Sequence, residues 1–319
     1  MTIAEFSVGN VGGGAAGDLQ YPGLSQMIVE YAMPAQIFRQ LYVHYPSMGR
    51  QSVTIPKESD PANTSAIVAS RVGEGDELPL NILPVTSSTV SVYKVGEGYQ
   101  VTREMILFQQ VPIIQQRLKR LGITIGNTID YDCAVLVEAA VSGLGATYTN
   151  AVSGKTKGSD NTIAAEAGTL GQYDIVDATV RMMNFNLFAD TIVTSPVGAG
   201  QLRKLPQFSS QLNYGTPRYE HGELGEVEGL RVLVSRHVGA KADHTIVSPN
   251  VLAYVMTGTE TTAPNPLGQY TPMGYYVEAL PIQTMVHDNP RRDSYEVYAE
   301  SMFAPVVVTP KCIQRLSVS

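Results

Sequence analysis

The sequence predicts an α+β fold built around one long helix, on two observations. Between Pro112 and Gly143, apolar residues recur at Ile114, Leu118, Leu121, Ile125, Ile129, Cys133, Leu136 or Val137, and Ala140. These steps of three and four residues place them on one stripe of a helix. Beyond residue 170, strand-like and helix-like stretches alternate, which is the pattern of a domain that packs helices on a sheet. With 319 residues and 44% hydrophobic side chains, the chain can bury a sizeable core, in one large domain or in two.

The pieces follow in order. Residues 1–24 are rich in glycine and small side chains, including Gly12, Gly13 and Gly14, and read as a flexible arm. Over residues 25–42, Met27, Ile28, Tyr31, Ile37, Phe38 and Leu41 predict helix interrupted near Pro34. Its apolar face can cover this chain's own domain or a neighbouring subunit. Two stretches favour strand, SVTIP at residues 52–56 and TVSVYK at residues 89–94. Residues 57–88 between them carry few large apolar groups. They cannot build a core of their own, so they form a disordered segment, a functional loop or an arm that docks elsewhere. VGEG occurs at residues 72–75 and again at 95–98. Two matches of four residues do not make a structural repeat, and both read as turns.

The long helix comes next. Pro112 suits a first helical turn, where its missing N–H would have no partner, and Gly143 and Gly145 suit the end. At about 1.5 Å per residue, roughly thirty residues make a spine about 45 Å long. Residues 147–169, with TNAVSGKTKGSDNT at their centre, read as an exposed loop or hairpin. Residues 174–183 place Ile175, Ala178, Met182 and Met183 at helical spacing. A strand, DTIVTSP at 190–196, and a helix at 197–205 follow. Residues 215–228 read as a loop, and GLRVLVSRHV (229–238) and HTIVSPNVLAYVM (244–256) repeat the mixture of strand and helix. Residues 275–286, 295–301 and 304–308 predict strands, the first two separated by HDNPRRD, before the chain ends KCIQRLSVS.

An acidic Gly-rich turn before a proline (VGEGDELP, residues 72–79), an alternating strand, the helix start VTREMI and then a long helix form a recognisable order. So do the later helix, the strand ending in Ser-Pro, the helix that begins there and the Gly-Leu-containing strand GLRVLVS. Together they resemble the major capsid proteins of tailed double-stranded DNA viruses, whose fold is named after the phage Hong Kong 97. The resemblance implies an N-terminal arm and short helix over residues 1–48 and an extended loop over 49–94. It further implies a peripheral domain with the spine helix over 95–146, an axial domain over 147–274, and return strands of the peripheral domain over 275–319, packed beside the spine.

The implied function is geometric. Pentamers and hexamers of the chain would close into an icosahedral shell around double-stranded DNA, assembled in the host cytoplasm and retained in the virion. No enzyme activity and no cofactor are implied, and separate scaffolding, portal and decoration proteins are possible partners. Fewer than sixty residues precede the loop, whereas many relatives carry a long charged scaffolding segment there, so any scaffold is expected to be a separate protein. Encapsulins, cellular shells that enclose an enzyme, share this fold and are the alternative; the arm and long loop favour the virus.

Charge and motif content fit a structural role. The formal net charge is −7, with Lys and Arg scattered, and tight phosphate binding needs clustered cations. The acidic balance serves solubility, and in a shell it would also keep the wall from gripping the enclosed polyanion. The only cysteines are Cys133 and Cys312; Cys133 falls on the apolar stripe and reads as a small buried hydrophobe. No signal peptide and no run of 18 apolar residues is visible.

Ser153-Gly154-Lys155-Thr156 has the end of a phosphate-binding loop, but Thr149 stands where its first glycine belongs. Five histidines show no metal-ligand spacing, although His237 and His244 flank a turn. No G-x-S-x-G elbow occurs. Some relatives join a loop lysine to an asparagine of another subunit, and Lys57, Lys94 and Asn127 are the positions to consider. That reaction needs a desolvated lysine and a buried carboxylate base, which the sequence does not identify, so the contacts are expected to be noncovalent. Candidate inter-subunit contacts are Lys57, Arg71, Glu74 and Glu77 in the loop, and Arg117, Lys119 and Arg120 on the polar face of the spine. Each exposed ion pair contributes only about 0–1 kcal/mol, but closed symmetry multiplies it.

Overall fold

The computed structural model describes residues 28–33, 36–58, 85–108, 111–141, 162–165, 169–184, 187–205, 226–241, 250–257 and 272–318. The first elements are α1 (residues 28–32), β1 (Val43–Pro46), β2 (Ser52–Glu58), β3 (Val85–Ser91) and β4 (Tyr93–Thr102). The helices α2 (Arg103–Leu107) and α3 (Val111–Val141) follow. Then come β5 (Thr162–Ala164), α4 (Gln172–Asn184), β6 (Thr191–Thr194), α5 (Pro196–Arg203), β7 (Glu226–Val227), β8 (Leu230–Val234) and β9 (Val251–Met256). The chain closes with β10 (Gly274–Asn289), β11 (Ser294–Val307) and β12 (Ile313–Ser317).

The spine is α3, and it lies where the apolar period puts it. Leu118, Leu121, Ile125, Ile129, Cys133 and Val137 are all buried. Against this stripe lies α1, which buries Ile28 and Ala32. The two helices approach closely because Gly122 and Gly126 stand on the shared face. A Cβ at Gly122 would meet the Ile28 carbonyl oxygen at 2.6 Å, and one at Gly126 would meet that of Ala32 at 2.5 Å. Of the two surfaces open to the N-terminal helix, it therefore covers its own spine.

Beside α3 runs a four-stranded sheet in the order β1-β10-β11-β4, and a six-stranded sheet has the order β5-β12-β9-β6-β8-β7. The spine touches β4 and β11 of the first and β12 of the second, so one helix braces both sheets. In the six-stranded sheet β9 is buried along its whole length, with α4 and α5 packed against it. Ser195 caps α5 by accepting from the Gly198 N–H at 3.1 Å, and Pro196 opens the helix.

Several expectations are corrected. Residues 89–94 do not form one strand: β3 pairs with β2 and β4 pairs with β11, with the break at Val92. The buried Val92 side chain packs with Val53, Ile55, Val277, Ala304 and Val306, and this apolar anchor turns the chain from one sheet into the other. The second VGEG, residues 95–98, is not a turn but the middle of β4, paired with residues 298–301 of β11. Gly98 leaves room for a neighbour, since a Cβ there would overlap the Tyr298 ring. The first VGEG lies outside the described residues.

Residues 295–301 and 304–308 are not two strands, because β11 runs unbroken from Ser294 to Val307 with Pro305 opposite Tyr276. Pro305 is tolerated because β4 begins at Tyr93, opposite Phe303, so past that point β11 needs donors on one side only. Of the C-terminal strands, β10 and β11 share a sheet with β4 beside the spine, but β12 does not join them. A 3₁₀ turn at Pro310–Cys312 sends it between β5 and β9 of the other sheet, where Ile313 and Leu316 are fully buried. Finally, residues 162–164 of the stretch expected to be an exposed loop or hairpin are β5, which pairs in parallel with β12 and whose Ile163 is fully buried.

Candidate functional site

Polar side chains of α3 tie together segments that are far apart in the chain. Asp130 is fully buried. Its Oδ1 accepts from the Phe38 N–H at 2.5 Å, and its Oδ2 accepts from Nδ1 of His237 at 2.9 Å. The other imidazole nitrogen, Nε2, accepts from Arg236 Nε at 3.2 Å, which assigns the ring proton to Nδ1. The edge of the Tyr131 ring meets the imidazole at 5.5 Å between centroids, and its hydroxyl donates to the Lys241 carbonyl at 2.7 Å.

Eight residues along α3, on the same side of the helix, Glu138 accepts from Tyr254 Oη at 2.5 Å and from Arg315 Nη1 at 2.5 Å. Arg315 Nε donates on to Thr162 Oγ1 at 3.0 Å, and Tyr254 Oη accepts from the Gly239 N–H at 3.0 Å. Tyr42 donates to the Cys133 carbonyl at 3.0 Å. Burial pushes Tyr254 well above the ordinary phenol range, and the Glu138 charge adds to this. Burial also raises Tyr42 and the Cys133 thiol. These groups are protonated donors and packing elements at neutral pH, with no activated nucleophile among them.

The four-stranded sheet turns one face to the spine and the other to solvent. On the solvent face, aligned across β10, β11 and β4, lie Met285, Tyr298 and Gly98, with His287, Glu296 and Gln100 beside them. The Tyr298 ring covers Gly98, and its hydroxyl donates to Glu296 Oε2 at 2.5 Å while Asn289 Nδ2 donates to Oε1 at 3.0 Å. These two bonds, the tyrosine's first, hold the Glu296 carboxyl below the usual range. Against one end of this sheet packs the two-stranded ribbon β2–β3. Its buried side, Val53 and Ile55, sits in the cluster with Val277, Ala304, Val306 and Val308, and its other side exposes Thr54 and Thr89, whose hydroxyls lie 3.2 Å apart.

The residues predicted as contacts fall in different settings. Lys57 lies on β2 opposite Thr86, while Arg71, Glu74 and Glu77 lie outside the described residues. Arg117 is engaged within the chain: Nη1 donates to the Gln100 carbonyl at 3.1 Å and approaches Met105 Sδ at 3.7 Å. The Lys119 ammonium stands over the Tyr31 ring at 5.0 Å, and Arg120 is exposed. Lys94, considered for a crosslink, pairs with Glu300; His237 belongs to the Asp130 site, and His244 and residues 153–156 lie outside the described residues. Sequence reasoning missed Asp130, Glu138 and Arg315. The available signal was two acids eight apart on the helix, next to the apolar stripe. Among the described residues, no group of His, Cys, Asp or Glu is arranged to hold a metal, and no helix is long and apolar enough to cross a membrane.

Comparison with known proteins identifies this architecture. The chain is similar in structure to the mature capsid of bacteriophage PhiM1, with a TM-score of 0.60 and 14% identity over 89% of this chain and 87% of that one. It is also similar to the capsid of cyanophage P-SCSP1u, with a TM-score of 0.61 and 14% identity over 89% and 88% of the two chains. The match to Mycobacterium phage Che8 has a TM-score of 0.59 and 13% identity over 88% and 90%. No curated protein matches the sequence. A family model described as phage capsid protein matches residues 85–316, a span from the first residue of β3 into the last strand. The chain therefore belongs to the phage capsid protein family, with the α+β fold of Hong Kong 97 type.

Proposed function

We propose that copies of this chain form the pentamers and hexamers of a closed icosahedral shell that encloses double-stranded DNA in the virion. The observation that carries this reading is the division of labour around α3 within a phage capsid family chain. One helix, buried along its apolar stripe, braces two sheets, and the separate two-stranded ribbon β2–β3 has its own apolar anchor beside them. A braced block with a separately anchored ribbon suits subunits that clamp one another. In this reading the arm and the extended loop, residues 49–94, reach a neighbour, with Lys57, Arg71, Glu74, Glu77 and Arg120 contributing contacts. The four-stranded sheet and spine form a peripheral domain, and the six-stranded sheet forms the axial domain at the centre of each ring.

The role is structural rather than enzymatic, and the contacts are noncovalent. An acidic chain with net charge −7 encloses nucleic acid without gripping it, since each released counterion would require a clustered cation. The test is negative-stain microscopy of purified particles together with their absorbance ratio at 260 and 280 nm. Closed shells with the absorbance of nucleic acid are expected. Shells that contain a co-purifying enzyme would replace the virion with a cellular compartment, and small oligomers that persist at high concentration would refute any shell.

A further inference from the structure

Helix α4 is apolar on two faces, and only one of them is covered. Ile175, Ala178 and Met182 are fully buried against the six-stranded sheet. On the opposite side Tyr173, Val180 and Met183 are 76%, 44% and 51% exposed, with Val176 half-buried among them. At 100° per residue these four fall within an arc of about 80°. The solvent face of a surface helix ordinarily carries Lys, Glu and Arg. Here Asp174 and Arg181 are turned inward and buried, and Asp177 is the only charged side chain left outside on the described helix. Tyrosine and methionine in place of charge is the composition of the centre of a protein interface.

The same sheet exposes a second apolar site. Val197, 63% exposed, is the second residue of α5, just past the end of β6, and Val234, 40% exposed, ends β8 opposite Thr194. Both stand at the carboxyl end of the parallel pair β6/β8. The stripe on α4 exposes on the order of 300 Å² of apolar surface, well below the roughly 800 Å² per partner of a stable pairwise interface. It cannot hold an isolated dimer, but it suits a contact repeated around a closed ring, where two different patches of one chain meet head to tail. Both patches belong to a chain of a capsid family, whose partners in a shell are copies of itself.

We infer that the outward stripe of α4, Tyr173 to Met183, packs against the Val197/Val234 edge of the next copy within each ring. This rests on the shell-forming reading above. The test compares particle yield and crosslinking in the full chain. Val180→Asp puts an unpaired charge into the contact and is expected to lower particle yield about tenfold, while thermal melting of the unassembled subunit is unchanged because the site is exposed there. In assembled material the double variant Val180→Cys/Val234→Cys is expected to give, on oxidation, a ladder of linked oligomers, and neither single variant is. The native Cys133 and Cys312 are buried and give no background. Shells that form normally from Val180→Asp, or a double variant that does not crosslink, overturn the contact and leave the shell reading intact. Dimers from Val180→Cys alone overturn the head-to-tail arrangement in favour of helix against helix. Wild-type chain that forms no particles overturns both readings.

Discussion

The Asp130 carboxylate and the His237 imidazole, 107 residues apart in the chain, meet at 2.9 Å inside the protein. The same carboxylate receives the Phe38 N–H, so one side chain joins the spine, the turn after β8 and the segment that precedes β1. Asp130→Ala would leave a buried imidazole and a buried amide without acceptors, and is expected to cost about 3–5 kcal/mol. Asp130→Asn keeps an acceptor oxygen and is expected to cost about half as much. Urea unfolding of the unassembled subunit measures both, and a cost below about 1 kcal/mol for the alanine variant would show that the site is solvated.

Two glycines separate backbone crowding from side-chain crowding. At Gly126 a new Cβ meets the Ala32 carbonyl oxygen and Cα, at 2.5 and 3.0 Å, and neither can move without displacing α1. Gly126→Ala is expected to cost about 2 kcal/mol and to speed amide exchange in residues 28–32. At Gly98 the three atoms nearest the new Cβ all belong to the Tyr298 ring, which is 38% exposed and can swing aside. Gly98→Ala is expected to cost less than about 1 kcal/mol, with its effect abolished in a Tyr298→Ala background. Equal costs at the two positions would contradict this assignment.

Alkaline pH is expected to destabilise the subunit through its buried acids. Burial pushes the Cys312 thiol up to about 12, and it also raises Cys133, Tyr42 and Tyr254. The folded state holds these groups neutral while the unfolded chain ionises its thiols near pH 8.5 and its phenols near pH 10. Their contribution is therefore complete below about pH 8.5 and is lost as pH rises from there toward the raised values, by about 1.4 kcal/mol per pH unit for each group. The urea midpoint should be level below pH 8.5, fall above it, and fall more steeply above pH 10. Replacing Cys312 with alanine should roughly halve the slope between pH 8.5 and 10, because Cys133 still contributes there. A midpoint that stays constant to pH 11 would refute the argument.

Arg117 and Arg120 lie three residues apart on the spine but are expected to act differently. Arg117→Ala removes the bond to the Gln100 carbonyl that ties α3 to β4, so it should lower subunit stability by about 0.5–1.5 kcal/mol and leave particle yield unchanged. Arg120→Glu reverses an exposed charge and should lower particle yield at unchanged subunit stability. The opposite pattern would exchange their roles.

The sequence by itself determined the spine and the fold class. Helical periodicity is local, so Leu118, Leu121, Ile125, Ile129, Cys133 and Val137 declare their buried stripe without reference to the rest of the chain. The order of strand and helix signals pointed to the capsid fold for the same reason. The tertiary structure decided what depends on partners distant in sequence. Residues 95–98 look like a turn until β11 supplies Tyr298 to fill the space above Gly98. The last strand belongs to the six-stranded sheet because β5 and β9 flank it there. Asp130 and Glu138 look like solvated charges on a helix until His237, Phe38, Tyr254 and Arg315 surround them. A buried charge is stable only through its partners, and a sequence pattern carries spacing along the chain, not the positions of groups that folding brings from a hundred residues away.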